Sequence, residues 1–290
     1  MSERAVSDAS IPASTEWNLR RRVAGQIARQ EVIDALYGWQ LYGATSLGLI
    51  LGSLFIFNAL SFVDESGLLI FRRPFFVPLL VSVTIIIIGL TAWATLAIAR
   101  QRDLGGLRVL FFAPVDAVGV IGGYVIAGAA LMMIQVAALT PLLALIALIA
   151  NLPLPGGLII GLLAAPVYGA LGVAIGLFLS AIAATSRSAL FFLGGALLLI
   201  LAVPAGYAAL LNAPQESRFY DALLFLRTIV RMLRDIINWI SPFALAGAAL
   251  DAGLRGNWFE LLRLISAGIL GVVAWGVAAI WGLRRRGVLS

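Results

Sequence analysis

Residues 100–116 read RQRDLGGLRVLFFAPVD and separate two of the longest apolar runs in the chain. The stretch holds three arginines, two aspartates, a glycine pair and a proline, whereas the residues on both sides are almost wholly apolar. A helix needs about 20 apolar residues to cross the hydrocarbon core of a bilayer. The stretch therefore predicts a polar connection between two membrane spans, and its neighbours decide the fold class.

The whole chain has the composition of a polytopic membrane protein. Of its 290 residues, 62% are hydrophobic and 12% are charged. Six segments have the length and hydropathy of a span, near 41–62, 76–99, 117–149, 157–183, 188–211 and 262–282. We predict an all-α fold with six transmembrane helices, and a kink in the third at Pro141, where a helix hydrogen bond is lost.

The arginines predict the orientation of the spans. Cytoplasmic loops of membrane proteins carry an excess of basic residues. With six spans, one side of the membrane receives Arg20, Arg21, Arg22, Arg29, Arg100, Arg102, Arg108, Arg187, Arg284, Arg285 and Arg286. This side is predicted to be cytoplasmic, with both termini there and the spans in the inner (plasma) membrane. Arg72 and Arg73 fall on the other side and are exceptions to the rule.

Three residue types are missing, and their absence excludes several kinds of chemistry. The chain has no cysteine and no histidine, and all of its basic residues are arginines. A P-loop ATP site needs a lysine, and thiol or Cys/His metal sites need the other two. We expect no catalytic residue, cofactor or metal in this chain. The net charge of +6 is attributed to membrane orientation, so lipid rather than nucleic acid is the expected partner.

The N-terminal region differs from the spans. Residues 1–16 are polar and are predicted to be disordered, and residues 17–290 are predicted to form one transmembrane domain. Between 17 and 40, apolar residues recur at helical spacing: Leu19, Val23, Ile27, Val32, Leu36 and Trp39. This pattern favours an amphipathic helix in the inner interface of the membrane, and a plain topology anchor is the alternative.

The last loop, about 212–261, is long and is predicted to lie on the outer side. Within it, Leu223, Leu226, Val230, Leu233, Ile237 and Ile240 indicate an amphipathic helix, with Arg227, Arg231 and Arg234 assigned to the opposite face. Residues 241–253 are apolar but too short for a span, which suggests a re-entrant or interfacial piece.

Small and polar residues inside the spans have two interpretations each. Gly169, Gly172 and Gly176 have the spacing of a helix contact, and we interpret them as packing positions. The polar candidates for substrate contact are Thr84, Thr91, Gln135, Thr140 and Tyr168. A hydrogen bond to a neighbouring helix is the favoured role for each of them.

The stretch at 100–116 also has the pattern of a docking element. Gly105 and Gly106 allow a sharp bend, and Leu107 and Leu110 follow with helical spacing before Pro114. A short helix near 101–114 would present side chains to a cytoplasmic partner. An interfacial turn with no partner is the alternative.

This stretch resembles the segment after the second span of ABC-2 type permeases, the transmembrane subunits of one class of ATP-binding-cassette transporters. Their pattern is charged–Gly–small–Leu–x–x–Leu–x–x–x–Pro–Val, and the matching residues are Asp103, Gly105, Gly106, Leu107, Leu110, Pro114 and Val115. The family usually has glutamate before the glycine and often threonine after it, where this chain has Asp103 and Gly106. Residues 172–192, the N-terminal helix and the long last loop also resemble the family.

The resemblance implies an ATP-driven exporter of a lipid-like or amphiphilic substrate. A separate ATPase subunit would bind the cytoplasmic face, and a second permease copy, identical or paralogous, would complete the path. It assigns ATPase coupling to Arg102, Asp103, Gly105, Leu107, Arg108 and Leu110. It assigns the interface helix to Arg20, Arg21, Arg22, Arg29 and Glu31.

Three other functions remain open. The haem-exporter B-type permease of cytochrome c maturation shows the same Gly–small–Leu frame, although this chain has a longer N-terminal helix and last loop. A non-transporting scaffold that recruits a cytoplasmic partner would share every feature except a translocation path. A secondary carrier is disfavoured, because the central parts of the second to fifth spans carry no charged side chain.

Overall fold

A computed structural model describes residues 13–66, 75–104, 116–149, 154–212 and 220–286 of the chain. These residues form helices and no strand. In order, the helices are α1 (Ala13–Tyr37), α2 (Trp39–Ser66), α3 (Phe76–Asp103), α4 (Ala117–Ile149), α5 (Gly156–Leu162), α6 (Ala165–Ile182), α7 (Ser186–Leu211), α8 (Tyr220–Ile240), α9 (Pro242–Leu254) and α10 (Trp258–Arg286).

The prediction of an all-helical fold is confirmed for the described residues, and six stretches are long and apolar enough to cross a membrane, or seven if the bent pair α8–α9 counts as one span. The stretches long and apolar enough to cross a membrane are Leu41–Asn58, Phe76–Asp103, Ala117–Ile149, Gly156–Ile182, Ser186–Leu211 and Trp258–Arg285. The fourth stretch consists of two helices, α5 and α6, because the chain turns at Leu163 and Ala164. The third is one helix, α4, which continues through Pro141.

Helix α6 lies at the centre of the bundle, where glycines bring it close to its neighbours. A Cβ atom added at Gly176 would lie 2.5 Å from the Thr91 carbonyl oxygen of α3, and one at Gly169 would lie 2.7 Å from Met132 Cβ of α4. A Cβ at Gly172 would lie 2.6 Å from Thr91 Oγ1. The interpretation of these three glycines as packing positions is confirmed, since no larger side chain fits there without displacement.

The contacts between helices give their relative directions. Gly172 lies against Ile87, and Ser180 lies against Ala99 further along both helices, so α3 and α6 run the same way. Helix α10 runs with them, because Gly268 faces Tyr168 and Gly282 faces Ala181. We call the end at which these three helices finish the arginine-rich end; its described arginines are Arg20, Arg21, Arg22, Arg100, Arg102, Arg187, Arg284 and Arg285.

Helix α1 packs lengthwise on the first turns of α4. Gly119 faces Val23, and Gly123 faces Ile27, so the two helices run in the same direction. The predicted helix over 17–40 is seen as α1 and the start of α2, which are separated at Gly38. Helix α1 already begins at Ala13, within the segment predicted to be disordered, and residues 1–12 lie outside the described part of the chain. The predicted location of α1 in a membrane interface stays a prediction.

Helices α8 and α9 form a pair bent by 77°. Helix α7 starts at the arginine-rich end and α10 starts at the opposite end, so the chain between them leaves and returns at that opposite end. Gly253 of α9 packs on Gly157, in the first turn of α5, and Leu250 packs on Gly161, one turn further along α5. Helix α9 is therefore antiparallel to α5, and its first residue is the one deepest in the bundle. This geometry is that of a re-entrant hairpin.

Helix α8 is amphipathic, as the sequence predicts. Among its apolar positions, Ile237 is buried and Leu223 and Val230 are partly buried, whereas Leu226 and Leu233 are 45% and 43% exposed. On the polar face, the Arg234 guanidinium lies 4.4 Å from the centroid of the Tyr207 ring of α7, which is a cation–π contact. One of the arginines of the polar face therefore packs on α7.

Matched glycine substitutions test the central packing. Gly176→Ala should lower the free energy of unfolding by about 1–3 kcal/mol, because the new methyl group overlaps the α3 backbone. Gly194→Ala on α7 is the control, since a Cβ there meets no atom within 4 Å and alanine favours a helix by up to about 1 kcal/mol. Thermal unfolding followed by tryptophan fluorescence measures both. Equal effects of the two substitutions would contradict the close approach of α3 and α6.

Candidate functional site

The described structure contains the two ends of the predicted coupling segment. Arg102 and Asp103 lie in the last turn of α3, and Asp116 lies just before α4. The other assigned coupling residues, Gly105, Leu107, Arg108 and Leu110, lie outside the described residues, so the contact helix stays a prediction. What the structure adds is how each end of the segment is held.

Arg102 holds the end of α6. Its Nη1 donates to the Ala183 carbonyl oxygen, and its Nη2 donates to the Ala181 carbonyl oxygen at 3.4 Å. The last carbonyl groups of a helix have no partner within the helix, and they carry the negative end of its dipole. A guanidinium satisfies both needs at once, so Arg102 caps α6 from the neighbouring helix.

Asp103 holds the start of α7. Its Oδ2 accepts a hydrogen bond of 3.0 Å from the backbone N–H of Ser186. Free N–H groups and the positive end of the dipole meet at the start of a helix, which favours a carboxylate there. Thr185 and Ser188 complete the cap by exchanging side-chain and backbone hydrogen bonds. The α6–α7 turn is thus held by a cation on its first side and an anion on its second, both from α3.

The other end of the segment is held by two further helices. Arg20 of α1 lies 3.0 Å from Asp116 Oδ2, and Arg284 of α10 lies 3.6 Å from Asp116 Oδ1. An exposed ion pair contributes only about 1 kcal/mol or less. The importance of Asp116 is geometric, because one carboxylate joins the first and last helices to the start of α4. The sequence placed Asp116 in the polar connection before the third span but did not pair it with either arginine.

The residues assigned to the interface helix divide into two groups. Arg21, Arg22 and Arg29 are exposed on α1, whereas Arg20 and Glu31 are partly buried toward the bundle. The Tyr124 hydroxyl of α4 donates a hydrogen bond to the Glu31 carboxylate. Arg20 and Glu31 therefore fix α1 on α4.

Beside Glu31, a cleft of about 260 Å³ opens between α1, the start of α2, α3 and α4. We call it the α1–α3–α4 cleft. Its charged and polar lining consists of Glu31, Asp34, Arg100, Gln101, Tyr124 and Gln135. Burial raises the pKa of the Glu31 carboxyl and the nearby Asp34 carboxylate raises it further, while the hydrogen bond from Tyr124 lowers it.

Of the five polar residues named as candidates for substrate contact, Gln135 lines this cleft. Thr91 and Thr140 donate to carbonyl oxygens of their own helices, at 2.7 and 2.8 Å. Thr84 is partly buried on α3, and Tyr168 is fully buried beside Gly268 of α10. Within the described ranges, no three acidic side chains lie close enough together to hold a metal ion.

No known family model matches this chain, and no curated protein matches it.

Truncation of Arg102 tests the cap on α6. Arg102→Ala leaves two helix-terminal carbonyl groups without their charged donor, and we expect a loss of about 1.5–3 kcal/mol in the free energy of unfolding. Arg21→Ala, an exposed arginine on α1, is the matched control and should change stability by less than about 0.5 kcal/mol. Thermal unfolding of the purified variants measures both, and similar values for the two would contradict the capping role.

Glu31 provides a test by pH. Because its pKa is raised in the folded chain, the free energy of unfolding falls as the pH rises from the ordinary carboxyl range to the raised value. Glu31→Gln removes this titration and keeps an acceptor for Tyr124. We expect the variant to melt at a higher temperature than the parent at pH 8, and the difference to close below about pH 4.

The facing charged and titratable groups are Asp34 on α1, Tyr124 on α4 and Arg100 on α3, and all three stay unchanged in this comparison. Glu260→Gln, at a carboxylate that pairs with Arg263 outside the cleft, is the control and should show no gain at pH 8. If Glu31→Gln raised the melting temperature equally at pH 8 and below about pH 4, ionisation of Glu31 would not be the cause.

Proposed function

We propose that this chain is the permease subunit of an ATP-driven exporter and that a separate ATPase subunit drives it through the segment 105–115. It forms the path for a lipid-like or amphiphilic substrate together with a second permease copy. The proposal combines the resemblance of residues 103–115 to ABC-2 type permeases with the way in which both ends of this segment are held.

The observation that carries the proposal is the attachment of the segment to five helices besides α4. At one end, Arg102 and Asp103 of α3 hold the turn between α6 and α7. At the other end, Asp116 holds α1 and α10. A rigid-body motion applied to the segment would reach these helices at once, as a switching transition between packed elements requires.

The distribution of charge supports a cytoplasmic location for the segment. The described arginines outside α8 gather mainly at the arginine-rich end, and basic residues favour the cytoplasmic side. At the opposite end, Arg255 and Arg263 are each paired, with Asp251 and Glu260 at 2.6 Å. With the arginine-rich end in the cytoplasm, α1 and α10 bring both termini to the side on which ATP is available.

The re-entrant pair α8–α9 also supports the resemblance. The chain inserts two helices between its fifth and sixth spans, and one of them packs inside the bundle on α5 and α3. This arrangement agrees with the family feature of short helices in a long outer loop before the last span. A scaffold that only recruits a partner would need no such insertion at the opposite end.

Co-expression of this chain with candidate ATP-binding-cassette ATPase subunits, followed by reconstitution, tests the function. We expect the two subunits to co-purify, ATP hydrolysis to require the ATPase subunit, and Leu110→Asp to abolish ATP-dependent substrate movement while the span bundle keeps its melting temperature. A charged side chain in an apolar docking contact costs several kcal/mol when it is left unpaired.

Leu211→Asp is the matched control, because Leu211 ends α7 at the end of the bundle opposite the segment and is 46% exposed. It should retain coupling. Co-purification without any ATP-dependent movement, in the parent and in both variants, would favour a scaffold. ATP hydrolysis by the permease alone would refute the division of labour.

A further inference from the structure

The α1–α3–α4 cleft has a chemical composition of its own. It carries two carboxylates from one face of α1, Glu31 and Asp34, and one guanidinium, Arg100, from α3. The remaining walls are largely apolar, with Leu90, Trp93 and Leu131 prominent. Pockets of this kind bind a ligand by its apolar body and select it by a few polar contacts.

Gln135 supplies a buried acceptor that the described residues leave without a partner. Its side chain is 2% exposed, and its Nε2 donates to the Leu41 carbonyl oxygen at 3.3 Å and to Thr45 Oγ1 at 3.2 Å. A carbonyl oxygen only accepts hydrogen bonds, so the Leu41 contact fixes which amide atom is the nitrogen. The amide Oε1 has less than 1 Å² of accessible surface and no hydrogen-bond partner among the described residues, so a donor in the cleft reaches it only after the Gln135 side chain turns toward the cleft. A buried acceptor of this kind is costly unless something donates to it.

The Glu31 carboxylate and the Gln135 amide lie at different levels along the axis of α3. Gly89 and Arg100, both in the lining, are eleven residues apart on α3, which corresponds to about 16 Å along the helix. Gln135 lies near the Gly89 level, because it bonds to Leu41 and Thr45 while Ala44 packs on Gly89. Glu31 lies beside Tyr124, whose ring is 5.7 Å from that of Trp93. A ligand that contacts both the Glu31 carboxylate and the Gln135 amide must therefore be elongated.

The order of the charges excludes the usual arrangement of a zwitterionic phospholipid. Arg100 lies two turns beyond Trp93 toward the arginine-rich end, and the carboxylates lie on the deeper side of it. A phospholipid inserted from this end carries its phosphate deeper than its ammonium group, which would bring the phosphate to the carboxylates. A single cation fits instead, with the Trp93 and Tyr124 rings beside it as cation–π partners.

We propose that the α1–α3–α4 cleft binds an elongated monocationic amphiphile, an amine whose apolar chain bears a distal hydrogen-bond donor. The ammonium group lies at Glu31 and Asp34, the apolar chain lies against Leu90, Trp93 and Leu131, and the distal donor reaches Gln135 Oε1. Binding at this site does not depend on transport. Its role as the loading site for exported cargo rests on the proposed function.

The probe that matches this geometry is 12-amino-1-dodecanol, a primary amine with a hydroxyl at the far end of a twelve-carbon chain. Equilibrium dialysis with the purified full chain in nanodiscs, against empty nanodiscs, measures saturable binding without any ATPase subunit. Failure of the exporter proposal therefore leaves this result unchanged, and the reverse also holds.

We expect 12-amino-1-dodecanol to bind at least about 5-fold more tightly than dodecylamine, because dodecylamine cannot donate to Gln135. The neutral 1,12-dodecanediol should bind at least about 10-fold more weakly, because it lacks the charge. Neither 12-hydroxydodecanoate nor dodecylphosphocholine should compete. Competition by either of these at comparable concentration, or no saturable binding above empty nanodiscs, would overturn the proposal.

Variants assign the contacts to residues. The double substitution Glu31→Gln with Asp34→Asn should weaken both amines by about 10-fold or more. Gln135→Leu should bring 12-amino-1-dodecanol to the affinity of dodecylamine and leave dodecylamine unchanged. Asp235→Asn on α8, a carboxylate outside the cleft lining, is the control and should bind as the parent does.

Melting temperatures verify that each variant is folded. The comparison of the two amines on the parent chain tests the distal contact even if Gln135→Leu does not fold. Equal affinities of the two amines for the parent would contradict a contact with Gln135. Unchanged binding by the Glu31→Gln, Asp34→Asn variant would contradict binding of the ammonium group by these carboxylates.

Discussion

The close contact between α3 and α6 is the constraint on which the rest of the bundle depends. Within a bilayer, burial of apolar surface does little to drive helices together, so close packing and interhelical hydrogen bonds must hold them. Gly172 and Gly176 let the α3 backbone approach, and Ser180 Oγ accepts hydrogen bonds from the N–H groups of Ile98 and Ala99, at 3.2 and 2.9 Å. With α6 seated on α3, its other sides are free to receive α4 and α10, and the ends of all four helices are positioned together.

This arrangement gives the two proposals a common mechanical basis. The residues just before the segment 105–115 belong to α3, where Arg102 and Asp103 hold the α6–α7 turn. The other end leads into α4 and acts on α1 and α10 through Asp116. The α1–α3–α4 cleft lies between these two groups of helices, with one wall from α3 and the facing walls from α1 and α4. In the proposed mechanism, a partner that moves one end of the segment relative to the other changes the width of the cleft.

Hydropathy and periodicity were sufficient for the helical character of the chain, its six long apolar helices and the existence of α8. They were not sufficient for the contacts of these helices. The sequence assigned Leu226, Leu233 and Ile237 to one apolar face of α8, but only the fold shows that Ile237 is buried while both leucines are exposed. Lipid accepts leucine as readily as a neighbouring helix does, so periodicity does not distinguish the two environments. It named Gln135 among five polar residues, and only the fold distinguishes it from Thr91 and Thr140, which bond within their own helices.

By itself, the sequence determined that the chain is a helical membrane protein with six spans and that its arginines gather mainly at one end. These properties are local, since they follow from runs of apolar residues and from the charges between them. Only the tertiary structure decided that the α8–α9 pair enters and leaves the bundle at the same end, that Asp116 joins Arg20 to Arg284, and that Glu31, Asp34 and Gln135 line one cleft. These features join residues far apart in the chain, and apolar patterning carries no information about which apolar surface meets another protein helix and which meets lipid.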